Sequence, residues 1–163
     1  MNNLEIERKF LLTEFPAEKV SETQRIEQGY LAAGAGPPSF PAVSLRLRRK
    51  DGSTTFLTIK VGSGVARTEV ELALMPSQFE ALWPLTEGRR LNKTRHRLPL
   101  SPGTFAEVDI YEGSLRGLST VEVEFSSEFE AETFRPPAWF GKEVTADPRY
   151  QNSALAVSGV PSA

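Results

Sequence analysis

Apolar and charged positions alternate over short segments along most of the chain. In residues 43–50, for example, Leu45 and Leu47 alternate with Arg46 and Arg48. Because successive side chains of an extended strand point to opposite faces, this period of two predicts β-strands with one apolar and one charged face. The predicted strands are 4–12, 24–32, 43–50, 54–61, 66–74, 90–98, 104–111 and 119–126.

Short connections join most of these strands, and Asp51-Gly52, between the third and the fourth, is a strong hairpin signal. Short links place consecutive strands side by side and antiparallel. Eight antiparallel strands can close into a barrel, which leaves no free sheet edge. We therefore predict a mainly β, α+β fold built on a closed eight-stranded antiparallel β-barrel.

Helical spacing of apolar residues and typical capping residues predict three short helices beside the strands. The first begins at Pro76, and the second has Ser127 and Glu130 at the spacing of a capping box. The third ends before Gly159, a typical helix stop. The predicted ranges are 76–83, 127–134 and 148–158.

The composition is that of a globular protein, and we expect a single domain over residues 1–163 with an ordered core at about 4–158. The net charge of −2 argues against a nucleic-acid surface built on positive charge. The absence of cysteine excludes disulfides, thiolate catalysis and Cys-ligated zinc. No apolar stretch has membrane-spanning length, and the charged first strand is unlike a signal peptide. We expect a cytoplasmic protein with no membrane partner.

The charged residues fall on one face of strand after strand. The positions that share this face are Glu5, Glu7, Lys9, Arg46, Arg48, Thr58, Lys60, Arg67, Glu69, Glu71, Lys93, Arg95, Glu107, Asp109, Tyr111, Glu122 and Glu124. Two barrels fit this pattern. In the commoner one the apolar face fills the core and the charges face water. In the other the charged face lines a wide lumen, and the apolar face lies under the helices and a subunit interface.

Charges of both signs suit a lumen only if a ligand compensates them, because burying so many charges is costly. Arg and Lys side chains suit phosphate oxygens. His96 is the single histidine, so a metal would be bound mainly by carboxylate oxygen, which suits Mg²⁺, Mn²⁺ or Ca²⁺. A polyphosphate with two divalent metal ions would satisfy both halves of the charged set.

The same residues form short motifs in a fixed order. They are Glu-x-Glu-x-Lys (Glu5, Glu7, Lys9), Arg-x-Arg (Arg46, Arg48), a lone lysine (Lys60), Arg-x-Glu-x-Glu (Arg67, Glu69, Glu71), Lys-x-Arg (Lys93, Arg95), Val-Asp-x-Tyr (Asp109), a late Glu-x-Glu (Glu122, Glu124) and Tyr-x-Asn-x-x-Leu (Tyr150, Asn152, Leu155). Each motif alone is weak, but the ordered series is specific. From about residue 4 to about 156, the chain closely resembles the CYTH superfamily of triphosphate tunnel metalloenzymes.

The resemblance implies a tunnel that binds a triphosphate together with Mg²⁺ or Mn²⁺, as two ions. The chain is most similar to short bacterial members that hydrolyse inorganic triphosphate to pyrophosphate and phosphate and tend to be homodimers. A class IV adenylyl cyclase and a thiamine or nucleoside triphosphatase are alternatives within the family. A polyphosphate-binding module without catalysis is an alternative of another class. The last helix is expected to plug one end of the tunnel.

The resemblance also implies roles for the tunnel residues. The expected metal ligands are Glu5, Glu7, Glu69, Glu71, Asp109, Glu122 and Glu124. The expected substrate-binding residues are Lys9, Arg46, Arg48, Lys60, Arg67, Lys93 and Arg95. Tyr30 and Lys93 are the expected catalytic residues, although a phenol with an ordinary pKa of about 10 is a poor base. Alternatively, Glu69 and Glu71 orient neighbouring Arg and Lys side chains without touching metal.

Overall fold

A computed structural model describes residues 3–34 and 41–162, and an antiparallel barrel forms its centre. Within those residues the strands are β1 Leu4–Leu12, β2 Glu22–Gly34, β3 Val43–Lys50, β4 Thr54–Val61, β5 Ala66–Ala73, β6 Arg90–Ser101, β7 Thr104–Tyr111, β8 Ser119–Glu124 and β9 Phe140–Glu143. The loop predicted at 34–41 falls mostly outside the described residues.

Eight of these strands close on themselves in the order β5-β4-β3-β2-β6-β7-β8-β1, because β1 also pairs with β5. One edge of β1 pairs with β8, where Glu7 lies opposite Glu124 and Lys9 lies opposite Glu122. The other edge pairs first with β5 and then, farther along, with β9. The predicted closed antiparallel barrel is confirmed, and β9 is an additional strand that the alternation did not predict.

Three short helices accompany the barrel in the part of the chain that the structure describes: α1 Pro76–Leu82, α2 Glu128–Thr133 and α3 Asn152–Ser158. The Ser127 hydroxyl caps α2 by accepting a hydrogen bond from the Glu130 amide at 3.2 Å. The last helix is shorter than predicted, because Gln151 is extended and separates α3 from a 3-10 turn at Pro148–Tyr150. None of the helices in the described residues combines the length and apolar composition that crossing a membrane requires.

The larger part of the apolar core lies outside the lumen. Its main cluster packs the outer faces of β1, β6, β7 and β8 against α2 and β9, and its buried members are Ile6, Phe10, Leu98, Ala106, Val108, Val121, Val123, Phe125, Ala131 and Phe140. Burying one such valine or leucine contributes about 1.5–3 kcal/mol. A second cluster joins α3 to the barrel through Leu91, Tyr111, Leu115, Leu118 and Leu155.

The charged face of the strands points inward, where it lines an internal cavity. Arg46, Arg48 and Lys9 are buried even though they carry charge. Of the two barrels that the sequence allowed, the one with a charged lumen is therefore confirmed. The barrel filled with apolar side chains is wrong for this chain.

Candidate active site

A cavity of about 630 Å³ occupies the inside of the barrel. Alternate residues of each strand point into it, because the pleat of an extended chain directs every second side chain to the same face. Most of the predicted site residues line it: Glu5, Glu7, Lys9, Tyr30, Arg46, Arg48, Lys60, Arg67, Glu69, Arg95, Glu122 and Glu124. Cations and carboxylates therefore share one enclosed wall.

Glu5, Glu7, Lys60, Arg67 and Glu69 form a network that we call the wall cluster. The Lys60 ammonium lies 2.8 Å from both carboxylate oxygens of Glu5 and 2.7 Å from Oε2 of Glu69. Arg67 Nη2 donates to Oε2 of Glu5 at 3.1 Å and also donates to Oε1 of Glu7. Each of these side chains keeps between 14% and 23% of its surface exposed. A ligand in the cavity can therefore reach both partners of each pair.

Lys9, Lys93, Arg95, Asp109 and Glu122 form a second set, the buried network, between β1, β6, β7 and β8. Lys93 Nζ donates to Asp109 Oδ2 at 2.5 Å, and the two side chains are only 1% and 0% exposed. Arg95 binds the same carboxylate through Nε and Nη2, both at 2.7 Å. Glu122 joins Arg95 Nη2 at 2.6 Å to Lys9 Nζ at 3.0 Å. Cations and carboxylates thus alternate from Lys93 to Lys9.

Burial and these pairs shift the pKa values of the buried network. Burial lowers the pKa of Lys93 to about 8, although the Asp109 carboxylate opposes the shift. Burial also works against ionised Asp109, but Arg95 and Lys93 lower its pKa below the ordinary value. In the same way, Lys9 and Arg95 overcome burial and hold the pKa of Glu122 well below its usual range. Both carboxyls are therefore ionised at neutral pH.

Arg46 forms no ion pair with a carboxylate of the described residues. Its side chain is buried, and among the described residues no carboxylate oxygen lies within the 4.0 Å of an ion pair. Its Nη2 donates to the Thr58 hydroxyl at 3.2 Å. The Nε atoms of Arg46, Arg48 and Arg67 are buried with no hydrogen-bond partner in residues 3–34 and 41–162. A buried N–H group without a hydrogen-bond partner costs free energy, and an anionic ligand in the cavity would supply the missing acceptors.

Two carboxyls of the wall resist ionisation. Burial raises the pKa of Glu7, and Glu122 and Glu5 raise it further. Burial also raises the pKa of Glu124, with added repulsion from Glu5 and Glu107. As the side chains stand, no three Asp, Glu or His side chains in the described part of the chain converge closely enough to hold a metal ion. The all-oxygen donor set nevertheless fits a hard divalent cation, which would relieve this repulsion.

Tyr30 lies on the cavity wall near Arg46, with 4% of its surface exposed. Gln28 Nε2 donates to the Tyr30 hydroxyl at 3.0 Å. Burial raises the pKa of Tyr30, and the nearby cations Arg46, Lys60 and Lys9 offset this rise only in part. The phenol is therefore protonated at neutral pH.

The C-terminal segment lines one end of the cavity. Asn152 and Val157 of α3 face it. The Tyr111 hydroxyl donates to Asn152 Oδ1 at 2.6 Å, and Leu155 packs into the second apolar cluster. These contacts fix α3 at the end of the barrel, where the plug helix was predicted.

The sequence of this barrel with an ionic interior matches a known protein family. Residues 3–149 match the family model of the CYTH domain. The chain belongs to the CYTH family. This confirms the resemblance seen in the motifs, and the match spans most of the chain.

Relatives of this CYTH protein include two bacterial inorganic triphosphatases. The chain is 46% identical over 155 residues to the inorganic triphosphatase of Nitrosomonas europaea, and the aligned region covers 94% of this chain and 97% of the relative. It is 31% identical over 153 residues to the inorganic triphosphatase of Acetivibrio thermocellus, and the aligned region covers 93% of this chain and 92% of the relative. A solved crystal structure of an inorganic triphosphatase is 45% identical, with a TM-score of 0.67 over 97% of each chain.

Three predicted site residues of this CYTH protein lie off the cavity wall. Lys93 and Asp109 are buried behind it, so neither can touch a ligand in the cavity as the side chains stand. Glu71 is paired with Arg48 and accepts a hydrogen bond from Thr58 at 3.2 Å. That arrangement agrees with the alternative in which Glu71 orients an arginine and does not bind metal.

The cavity also contains side chains that were not predicted as site residues. Gln24, Lys50 and Glu107 line it. The alternation carried the signal for two of them, because Lys50 lies two residues after Arg48 and Glu107 lies two residues before Asp109. Glu107 was already on the predicted charged face but had no assigned role, and extending that face of β3 to its last residue would have added Lys50.

Proposed function

We propose that this CYTH protein hydrolyses inorganic triphosphate to pyrophosphate and phosphate inside the barrel, with Mg²⁺ or Mn²⁺ as the metal. The observation that carries the proposal is the set of cavity arginines with unpartnered buried nitrogens, above all Arg46, which has no carboxylate among the described residues. The two related inorganic triphosphatases support the choice of substrate.

Phosphate recognition rests on cations from several strands. Arg46 and Arg48 come from β3, Lys60 from β4 and Arg67 from β5, so they surround the cavity on one side. Arginine is suited to phosphate because its planar group can donate two parallel hydrogen bonds. These side chains would bind the oxygens of an extended triphosphate and neutralise the negative charge that develops on the leaving pyrophosphate.

The metal would be held by four of the seven predicted ligands, Glu5, Glu7, Glu122 and Glu124, because the two Glu-x-Glu pairs lie on the neighbouring strands β1 and β8. When bound, two divalent ions would supply charge neutralisation and a more acidic water. Glu5 and Glu7 now bind Lys60 and Arg67. Turning these carboxylates toward metal would free the two cations for phosphate.

The reaction breaks one phosphoric anhydride bond. A water oxygen bonds to the terminal phosphorus, the bond from that phosphorus to the bridging oxygen breaks, and pyrophosphate leaves with the electron pair while the water loses a proton. Lys93, predicted as a catalytic group, lies behind the wall. In this proposal it holds Asp109, which in turn fixes the Arg95 guanidinium at the cavity surface.

Location and assembly are part of the proposal. We propose a cytoplasmic homodimer, and the exposed apolar side chain of Leu72 on β5 is a candidate contact between subunits. Size-exclusion chromatography with light scattering tests the assembly. A single species with the mass of one chain would contradict the dimer.

The substrate is tested by measuring phosphate release from triphosphate, ATP and thiamine triphosphate, with and without Mg²⁺ or Mn²⁺. We expect metal-dependent release from triphosphate and slower release from the other two. ATP turnover equal to or faster than triphosphate turnover would contradict the proposal. Cyclic AMP formation would instead indicate an adenylyl cyclase.

The site is tested with a matched pair of arginine variants. Arg46→Met should lower kcat/KM for triphosphate roughly 100-fold, because it removes one charge-stabilising donor from the cavity. Arg25→Met, on the exposed outside of β2, is the control and should leave kcat/KM within about twofold. Triphosphate binding without turnover in the parent and in Glu7→Gln would support the binding module and contradict the enzyme.

A further inference from the structure

Gln28 is a fully buried polar residue on the tunnel face of β2, two residues before Tyr30. Its Nε2 donates to the Tyr30 hydroxyl at 3.0 Å. Its Oε1 has no hydrogen-bond partner within the described residues. A buried amide that keeps half of its hydrogen-bonding capacity unsatisfied is costly. Within the described residues the Gln28 side chain forms one hydrogen bond, to Tyr30, so we infer that its role is to hold Tyr30.

The Tyr30 hydroxyl keeps its proton for a partner other than Gln28. A phenol oxygen can accept hydrogen bonds and has a single proton to donate. It accepts from Gln28 Nε2, and the nearby Arg46 cation opposes the rise of its pKa. Within the described residues no side chain accepts a hydrogen bond from the Tyr30 proton. Since Tyr30 lines the cavity, the proton is available to a ligand there.

The charged groups that face Tyr30 come from three strands: Lys9 on β1, Arg46 on β3 and Lys60 on β4. All three are cations, so they attract a phosphate to the same place. They also favour an ionised phenol, but burial outweighs them and keeps the pKa of Tyr30 raised. A protonated phenol among phosphate-binding cations is suited to donate to a phosphate oxygen.

The backbone around Tyr30 is fixed from outside the barrel. The Tyr30 amide donates to the Arg89 carbonyl at 3.0 Å, and Arg89 Nε donates to the Tyr30 carbonyl at 2.9 Å. Gly29 allows Thr86 to approach closely, because a Cβ at this position would lie 2.6 Å from the Thr86 side chain. With the backbone held, the hydrogen bond from the Gln28 amide sets the orientation of the Tyr30 hydroxyl.

We propose that Gln28 is a positioning residue, which holds the Tyr30 hydroxyl as a hydrogen-bond donor to a phosphate oxygen of the substrate and not as a proton acceptor for the attacking water. This inference rests on the proposed function and deepens it. It assigns Tyr30 to substrate binding and charge stabilisation, and it assigns Gln28 a role through Tyr30.

The first test compares the parent with Tyr30→Phe over a range of pH. A donor must be protonated, so the ratio of the two kcat/KM values for triphosphate should stay constant from about pH 7 to pH 9. A proton acceptor works only when ionised, so the same ratio would rise about tenfold for each pH unit. A rising ratio would overturn the inference.

The second test is a double-mutant cycle. Gln28→Met removes the amide at similar volume and should lower kcat/KM about tenfold in the parent background. In the Tyr30→Phe background it should change kcat/KM by less than about twofold, because its partner is already gone. An equal loss in both backgrounds would mean a role that is independent of Tyr30. Gln78→Met, which removes one side-chain hydrogen bond on exposed α1, is the matched control.

Gln28→Glu separates the two ends of the amide. A carboxylate can accept a hydrogen bond but cannot donate one, so this variant should lose at least as much activity as Gln28→Met. Activity retained by Gln28→Glu would show that the amide works as an acceptor and would overturn the inference. Thermal unfolding of each variant establishes that the loss is not one of folding.

Calorimetry with triphosphate separates this inference from the proposed function. Turnover by the parent tests the function, whereas Kd tests the contact even in the absence of turnover. We expect the Kd for triphosphate to rise about tenfold in both Tyr30→Phe and Gln28→Met. Unchanged Kd and unchanged kcat/KM in both variants would overturn the inference while leaving the proposed function intact.

Discussion

The wall cluster and the buried network use the same residue types, but they differ in depth. Every member of the wall cluster lines the cavity, whereas Lys93 and Asp109 of the buried network lie behind its wall. Lys60 and Arg67 of the wall cluster meet their carboxylates at the cavity surface. Lys93 and Asp109 of the buried network have almost no exposed surface. A ligand can replace a partner in the wall cluster, whereas a lost partner in the buried network leaves a charge in the protein interior. Depth therefore separates the charges that can bind a ligand from the buried Lys93–Asp109 pair, which stabilises the barrel.

The largest effect should come from breaking the buried network. Asp109→Asn leaves Lys93 and Arg95 without their shared carboxylate, so we expect the free energy of unfolding to fall by about 3–5 kcal/mol. Urea denaturation measures it. Glu69→Gln is the matched change in the wall cluster, where Lys60 keeps Glu5, and it should cost less than about 1 kcal/mol. Similar losses in the two variants would remove the distinction between the networks.

The second effect should appear in catalysis and not in stability. Lys60→Met removes a cation that is exposed to the cavity, and we expect kcat/KM for triphosphate to fall roughly 100- to 1,000-fold with Tm changed by only a few degrees. Lys19→Met, on the exposed surface outside the barrel, serves as the control. A large fall in Tm with Lys60→Met would place this lysine with the buried network.

A smaller effect is expected on metal binding. Calorimetry should detect binding of Mg²⁺ or Mn²⁺ without substrate, and Glu124→Gln should weaken it roughly 10- to 100-fold, the loss seen when a metal site is disturbed. Chelation of the metal should abolish turnover. Glu132→Gln on exposed α2 should bind metal as the parent does. Equal metal affinity in Glu124→Gln and Glu132→Gln would remove Glu124 from the site.

The smallest effect concerns an ion pair on the outside of the barrel. Arg8 donates to Glu143 through Nε at 2.8 Å and through Nη2 at 2.6 Å, and this hydrogen bonding lowers the pKa of Glu143. Because Glu143 is well exposed, Glu143→Gln should cost about 0.5 kcal/mol of unfolding free energy at neutral pH.

The pH dependence of the stabilisation by the Arg8–Glu143 pair follows from the lowered pKa of Glu143. The stabilisation is present above the ordinary glutamate pKa of 4.5 and is lost as the pH falls through the folded-state value. The difference between the parent and Glu143→Gln should therefore shrink between about pH 5 and pH 3, as urea denaturation at each pH would show. A difference that grows in acid would contradict the assignment.

The alternation predicted the barrel and most of the cavity wall, because the side-chain period of a strand is a local property. It could not predict how deeply each charged side chain is buried. Lys93 and Arg95 share a face, yet only Arg95 reaches the cavity, since the Lys93 ammonium is buried against Asp109 and lies 5.6 Å from the centre of the Tyr111 ring. Gln28 shares the face of Tyr30 two residues away, and the same parity could have found it.

The strand β9 was missed because its sequence contains little pattern. Phe140–Glu143 has four residues, and in the described part of the chain it pairs with Phe10 and Leu12, past Ile6, where the pairing of β1 with the start of β5 stops. These partners lie near the other end of the sequence, so no local pattern predicts the pairing. The break at Gln151 has a local cause instead, because Asp147 accepts a hydrogen bond from the Arg149 amide and favours a separate 3-10 turn.

The pairing of β1 has a consequence for synthesis of the chain. Glu7 pairs with Glu124, and Phe10 pairs with Glu143, so every neighbour of β1 is translated long after it. Contacts over such long sequence separations slow folding, and an unpaired strand can aggregate while it waits. Charged side chains discourage that aggregation. We therefore expect the carboxylates and lysine of β1 to oppose aggregation of the nascent chain before they have any tunnel to line.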